Sequence, residues 1–305
     1  MANVLLEFVQ TLFIVLLETL KSVFRFFIPA AKKDVSGEIV FISGAGSGLG
    51  KLMAFKFAQL GAIVVCSDIN EKANDATVEE LKSQGFNSHG YKCDVSKRED
   101  IYRVADLVKN DVGDVTILVN NAGIVSGKKF LETEDWMIQK TFEVNTMAHF
   151  WTTKAFLPSM ISKNHGHIVS IASSAGLTGV NGLCDYCSSK FGAVGFDESL
   201  RMELYALGKT DVHTTAICPF YINTGMFDGV QTRFPWILPI LEPEWAVDKM
   251  MDAIRRNQPI IYLPRILYFF FFLKGFLPCA TFFTLSDFFG ASNSMDNFKG
   301  RAKNQ

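Results

Sequence analysis

The sequence predicts an α/β fold: a single doubly wound parallel sheet with helices on both faces, plus an N-terminal membrane helix and a C-terminal hydrophobic segment. Three observations predict it. From residue 38 onward, short apolar β-branched runs alternate with helical patterns, the rhythm of successive βαβ units. A glycine-rich turn joins the first run to the first helical pattern. Apolar residues make up 49% of the chain, and its 28 Phe crowd toward both ends while the middle is ordinary. A length of 305 residues suits one large domain with short extensions. The boundaries read as 1–30 for the membrane helix, 36–262 for the sheet domain and 263–305 for the hydrophobic segment with its polar tail.

A net charge of -1 gives no electrostatic basis for binding nucleic acid. Six cysteines do not make the dense framework of a small secreted domain. Cys184 and Cys187 form a lone CxxC, with no second CxxC or His pair to complete a metal site. The thiols therefore read as reduced, and no metal is expected.

Residues 4–28 are mostly apolar and end at Pro29. No basic stretch precedes them and no small-residue cleavage site follows, unlike a signal peptide. At ~100° per residue, Glu7, Glu18, Lys21 and Arg25 share one narrow face, with Gln10 beside it. Val9, Leu12, Leu16, Leu20, Val23 and Phe27 take the other side. This pattern favours a helix lying in the membrane surface. A spanning helix and a core or dimer helix stay open as alternatives. Lys32 and Lys33 follow the segment, so the positive-inside bias turns the main domain to the cytosol.

The first predicted strand is 38–43 (EIVFIS), and after GAGSGLG a helical pattern runs through Leu52, Phe55, Phe57 and Leu60. A GxGxxG motif would need glycine where Leu49 stands. The pattern that fits is GxxxGxG, on Gly44, Gly48 and Gly50. Backbone N–H groups at a helix start suit a pyrophosphate, and glycine lets it approach. The turn from Gly44 through Ser47, Gly48 and Leu49 to Gly50 is therefore the expected phosphate cradle of a Rossmann-type sheet. AIVVCSD reads as the second strand and ends at Asp68, 18 residues past Gly50. A carboxylate there accepts hydrogen bonds from an adenosine ribose and repels a 2′-phosphate, which favours NAD over NADP. The bland reading of Asp68 is a cap for the next helix. Further runs at 88–93 and 115–123 (VTILVNNAG) place Asp94, Asn120, Asn121, Ala122 and Gly123 at strand ends, where such sheets bind ligands.

The run HIVSI leads to Ser173, and Tyr186 follows thirteen residues later in YCSSK. Tyr186 and Lys190 stand four apart in a helical stretch, so they share a face. An ammonium beside a phenol favours phenolate and lowers the tyrosine pKa from ~10. Such a tyrosine can exchange a proton with an alcohol oxygen while Ser173 orients that oxygen. A Tyr–Lys pair at this spacing is common by chance, so its weight comes from the ordered combination.

That combination resembles the short-chain dehydrogenase/reductase family over roughly 36–262, through SGAGSGLG, CDVS, NNAG, FEVNT, HIVSIASSAG and YCSSK. The resemblance implies that Ser173, Tyr186 and Lys190 are catalytic. It makes Asn145 a helix-kinking residue that holds a proton-relay water. It has Asp94 contact adenine, Asn121, Ala122 and Gly123 line the adenosine side, and Thr224 bind the carboxamide. One departure stands out: Phe220 follows Pro219 where the family has glycine. The greasy ends and YCSSKF resemble the membrane-bound retinol/17β-hydroxysteroid dehydrogenase branch. That likeness implies NAD-dependent oxidation of all-trans-retinol at the endoplasmic reticulum, with lipid droplets as a second location and a homodimer as the assembly. A steroid or fatty alcohol is the alternative substrate, and a lipid-surface scaffold the alternative of another class.

After Thr224, an apolar substrate lid is expected from Met226, Phe227, Phe234, Trp236, Ile237 and Leu238, with Phe220 at the nicotinamide wall. Residues 266–289 are Phe-rich, but Lys274 and Pro278 argue against a clean span. They read as an interfacial or re-entrant element, with a dimer contact or a span as alternatives. The polar tail after Gly290 is expected to be mobile.

Overall fold

The computed structural model describes residues 2–300. Two compact units meet between Lys33 and Asp34. The first holds one helix, α1 (Ala2–Phe27). Its stretch Asn3–Phe24 is long and apolar enough to cross a membrane, and none of it is buried. Glu18 and Lys21 pair at 2.7 Å on one side of this helix. The side chains of Arg25 and Phe27, which the periodicity put on opposite faces, lie outside the described residues.

The second unit alternates strand and helix in chain order: β1 (Ile39–Ser43), α2 (Gly48–Gln59), β2 (Ile63–Asp68), α3 (Glu71–Ser83), β3 (Ser88–Lys92), α4 (Arg98–Asp111), β4 (Ile117–Asn120). Then come α5 (Asp135–Phe142), α6 (Ala148–Lys163), β5 (Gly166–Ile171), α7 (Cys184–Ala206), β6 (Val212–Pro219), α8 (Pro243–Arg255) and β7 (Ile260–Leu263). All strand pairs are parallel, in the order β3-β2-β1-β4-β5-β6-β7. The chain winds outward from β1 to β3, returns to β4, and winds the other way. The switch between β1 and β4 opens a crevice beyond their carboxyl ends, where such folds bind ligands.

Alternate strand residues feed two cores. Val40, Ile42, Val64, Cys66 and Val119 pack with Met53 and Phe57 of α2 and Met250 of α8. Phe41, Val65, Leu118 and Ile168 pack with α4, α6 and α7 through Val104, Met160 and Leu204. Burial on both faces is why β1, β2 and β4 read as near-continuous apolar runs. It also pins the register Phe41↔Leu118, because a one-residue slip would exchange the two faces.

The hydrophobic segment folds as two short helices, α9 (Ile266–Phe276) and α10 (Cys279–Phe288), broken at Leu277 and Pro278. Both belong to the second unit. Residues 291–300 are not the free tail that their polarity suggests. Ser294 and Met295 are buried, and the Lys299 N–H donates to the Asp228 carbonyl at 2.8 Å.

Candidate active site

One end of the cavity begins where β1 ends. Gly44 has φ +70 and Gly48, which opens α2, φ +56. A Cβ on Gly50 would stand 2.1 Å from the Gly44 carbonyl oxygen, so α2 closes onto the turn only with glycine there. Gly50 is thus a packing residue behind the wall, while Gly44, Ser47, Gly48 and Leu49 line the cavity. Asn121 locks the turn from β4: its Nδ2 donates to the Ser43 and Gly44 carbonyls at 2.9 and 3.1 Å. The Ser43 hydroxyl accepts from the Asn121 and Ala122 N–H groups in return. The amino end of α2 therefore faces the cavity in a fixed position, with the unpaired N–H groups and positive dipole of a helix start.

Asp68 closes β2 and lines the same cavity. Its carboxylate accepts from the N–H groups of Gly46 and Asn70, each at 2.9 Å. The cap of α3 is Asn70, whose side chain accepts from the Ala73 N–H; the capping alternative for Asp68 falls away. Asp94 lines the cavity beside Lys140 and accepts from the Ser96 N–H and hydroxyl at 3.1 and 2.6 Å. Ala122 and Gly123 complete this wall.

Ser173, Tyr186 and Lys190 come together on the other side, all buried and all on the cavity. Ser173 lies two residues past β5, and the other two occupy the first turns of α7. The Ser173 hydroxyl accepts from the Ala175 N–H at 3.1 Å and donates to the Pro219 carbonyl at 3.4 Å. Lys190 Nζ donates to the Ile171 carbonyl at 2.8 Å and sits 5.7 Å from the centre of the Tyr186 ring. Burial pushes the Tyr186 phenol above its ordinary range, and the Ser173 hydroxyl opposes this. Burial also pushes the Lys190 ammonium down to about 8. This corrects the expectation that Lys190 lowers the phenol. Desolvation of the buried phenol is the largest cause.

Asn145 is buried in a π turn, Glu143–Met147, between α5 and α6. It stands behind the cavity rather than on it. Its Oδ1 accepts from the Ile124 N–H, and its Nδ2 donates to the Ile124 carbonyl and the Ser189 hydroxyl, at 2.9, 2.9 and 3.0 Å. Sequence reasoning missed Asp185. This buried carboxylate accepts from Ser126 and Thr141 at 2.8 and 3.0 Å, and so ties the loop after β4 and α5 to the start of α7.

Phe220, Thr224, Met226 and Phe227 all line the cavity. Among the described residues, the non-glycine positions with positive φ are Asn164 and Asn257. The backbone at Phe220 therefore does not need the family's glycine, and its N–H donates to the Leu263 carbonyl at 2.6 Å. Of the expected lid, Leu238 also reaches the cavity, whereas Trp236 is 81% exposed. Phe234 packs on Phe288 and Phe289 at 5.3 and 5.8 Å between ring centres. The missing apolar wall comes from Leu267, Phe270, Phe271, Phe282 and Phe289 of the C-terminal segment. Nothing in the local sequence marks which of those rings turn inward.

The result is one cavity of about 890 Å³ that runs from Asp68 and Asp94 to Phe270 and Phe282 and takes in Ser173, Tyr186 and Lys190. The family model for short chain dehydrogenase matches residues 38–233. The chain belongs to the short-chain dehydrogenase family. This dehydrogenase is 52% identical to epidermal retinol dehydrogenase 2 of Homo sapiens over 277 residues, 90% of each chain. It is 46% identical to 17-beta-hydroxysteroid dehydrogenase 13 of Homo sapiens over 90% of this chain and 91% of that one. Among solved structures, it resembles a short chain dehydrogenase/reductase from Burkholderia phymatum in complex with NAD. That likeness has a TM-score of 0.71 and 28% identity, and covers 78% of this chain and 92% of the other.

Proposed function

We propose that this dehydrogenase uses NAD to oxidise a lipophilic alcohol, all-trans-retinol to all-trans-retinal. One observation carries the reading: a single cavity joins the glycine cradle and Asp68 to an aromatic chamber, with Ser173, Tyr186 and Lys190 on its wall. The likeness to a retinol dehydrogenase at 52% identity supports the substrate.

The residues present fit NAD. The cradle at Gly44–Gly50 leaves room for a pyrophosphate, the start of α2 offers it N–H groups, and Asp68 presents a carboxylate to a ribose. Asp94, Asn121, Ala122 and Gly123 would flank the adenosine, and Thr224 the carboxamide. When bound, NAD supplies the hydride acceptor. Tyr186 takes the hydroxyl proton, and Ser173 holds the same oxygen by a hydrogen bond. Lys190, charged below about 8, holds the helix that carries the phenol to β5 through the Ile171 carbonyl. Asn145 is the relay position, in a π turn of the kind that recurs at functional sites.

The apolar α1 and the exposed Phe269, Phe272, Phe276 and Phe283 of the C-terminal helices fit a membrane enzyme. We assign it to the endoplasmic reticulum or lipid droplets, cytosol-facing, where a bilayer-dissolved substrate is concentrated. A homodimer belongs to the same reading. A steroid alcohol is the second reading, favoured by the 46% likeness to a 17-beta-hydroxysteroid dehydrogenase.

Isolated membranes carrying the wild type or Tyr186→Phe test this against retinol, a 17β-hydroxysteroid and a fatty alcohol, with NAD and NADP. Retinol oxidation with NAD, lost in the variant, is expected. Equal rates in the two proteins would sink the mechanism, and a steroid preference would replace the substrate.

A further inference from the structure

Residues 291–300 run as a strap across the loops that carry the substrate wall, and two glycines make room for it. Gly127 has φ +65, and a Cβ there would stand 1.9 Å from the Phe298 ring. Gly229 has φ +88, and its Cβ would stand 1.9 Å from the Asn297 carbonyl oxygen. A side chain at either place would displace the strap. Hydrogen bonds fasten it on both sides. The Gln231 N–H donates to the Ser294 carbonyl at 3.1 Å, and Asn181 Nδ2 donates to the Ser292 carbonyl at 2.7 Å.

The strap reaches the reacting end of the pocket at two points. Buried Ser294 lines the cavity, with its hydroxyl 3.2 Å from that of Tyr221. The Phe298 ring packs against Phe227 at 6.3 Å between centres. Phe227 in turn packs against Tyr221 at 5.2 Å and Tyr186 at 5.5 Å. Tyr186, Tyr221 and Phe227 thus form one aromatic wall, with Phe298 packed against Phe227 and Ser294 against Tyr221.

We propose that Ser294 and Phe298 are positioning residues that fix the width of the pocket beside Tyr186 and so select primary over secondary lipophilic alcohols. This inference rests on the lipophilic-alcohol reading of the site. The reacting carbon of a primary alcohol carries one carbon substituent, and that of a secondary alcohol carries two. A wall that cannot recede admits the first and crowds the second, because close-packed aromatic surfaces yield little. With Phe298 removed, Phe227 gains space to move back.

The test uses the full chain in membranes, as wild type, Phe298→Ala, Phe298→Leu and Ser294→Ala. Retinol serves as the primary alcohol and a 17β-hydroxysteroid as the secondary one. Phe298→Ala is expected to shift the ratio of their kcat/KM values toward the steroid by on the order of tenfold. The change should lie in the alcohol KM, with the NAD KM unaltered, and Phe298→Leu should recover most of it. Ser294→Ala should shift the ratio the same way to a smaller extent. A ratio equal to wild type in Phe298→Ala, even at lower total activity, would overturn the proposal. If the wild type oxidises neither alcohol, the functional reading fails by itself. Competition of the same two alcohols for binding to the NAD-loaded proteins then decides the strap, since the affinity ratio either moves in Phe298→Ala or does not.

Discussion

Lys190 Nζ donates a 2.8 Å hydrogen bond to the carbonyl oxygen of Ile171, which ties the second turn of α7 to the last residue of β5. Ser173 lies two residues beyond that carbonyl, and Tyr186 one turn before that lysine. The bond therefore sets the helix carrying the phenol against the strand carrying the serine. It also keeps a buried cation beneath the site.

That cation has a thermodynamic signature. Burial lowers the Lys190 pKa from 10.5 to about 8. Between those values the unfolded chain binds the extra proton, so this residue makes stability rise with pH across that window. Below it, the buried charge costs up to roughly 3 kcal/mol. Lys190→Met should abolish turnover yet melt higher at pH 7, less the ~1–3 kcal/mol of an Ile171 carbonyl left without its donor. The difference in melting temperature from wild type should move against the variant as pH approaches 10.5. A difference that is the same at pH 7 and pH 10 would contradict this.

Asp68 should govern the choice of cofactor. On the proposed reading, Asp68→Ser removes the carboxylate that would repel a 2′-phosphate and pair with a ribose. Its kcat/KM with NAD should fall about tenfold or more, the worth of a hydrogen bond to a charged group, and that with NADP should rise. Steady-state kinetics with both cofactors read the ratio, and an unchanged ratio would count against the assignment.

Gly50→Ala places a methyl 2.1 Å from the Gly44 carbonyl oxygen and 2.6 Å from Asn121 Nδ2. The turn must open, at a cost of roughly 1–3 kcal/mol. A weaker NAD affinity and a lower melting temperature are expected together. Native NAD affinity in this variant would show that the turn is softer than its packing implies.

Lys274 reaches from α9 to the Leu177 carbonyl and lies 5.1 Å from the centre of the Phe191 ring. It thereby anchors the C-terminal helices to the loop that follows Ser173. Lys274→Met removes a charge-assisted hydrogen bond and a cation–π contact, the latter worth about 0.5–2 kcal/mol. The KM for retinol should rise several-fold while the KM for NAD stays constant. Equal changes in both would point to general unfolding instead.

Much of this site is legible in the sequence because its signals are local. The strand, turn and helix around Gly44–Gly50, the acid at the end of β2 and the four-residue spacing of Tyr186 and Lys190 each follow from backbone geometry over a few residues. The sign of the Tyr186 shift was not legible. It depends on how deeply the Tyr186 phenol is buried once α7 packs into the fold. Nor was the role of Gly50, which depends on a contact with Gly44 across the turn.

By itself, then, the sequence determined the doubly wound sheet, the glycine turn after β1 and the grouping of Ser173, Tyr186 and Lys190, since periodicity and motif order encode them directly. Only the tertiary structure decided which apolar residues of the C-terminal segment face inward. Phe270 and Phe282 line the cavity, Phe272 and Phe276 stay exposed, and 291–300 close over Phe227. Composition cannot separate those roles, because a ring that faces lipid and a ring that faces a lipophilic substrate satisfy the same hydrophobic requirement. The difference lies in contacts such as Phe298 against Gly127, made between residues far apart in the chain.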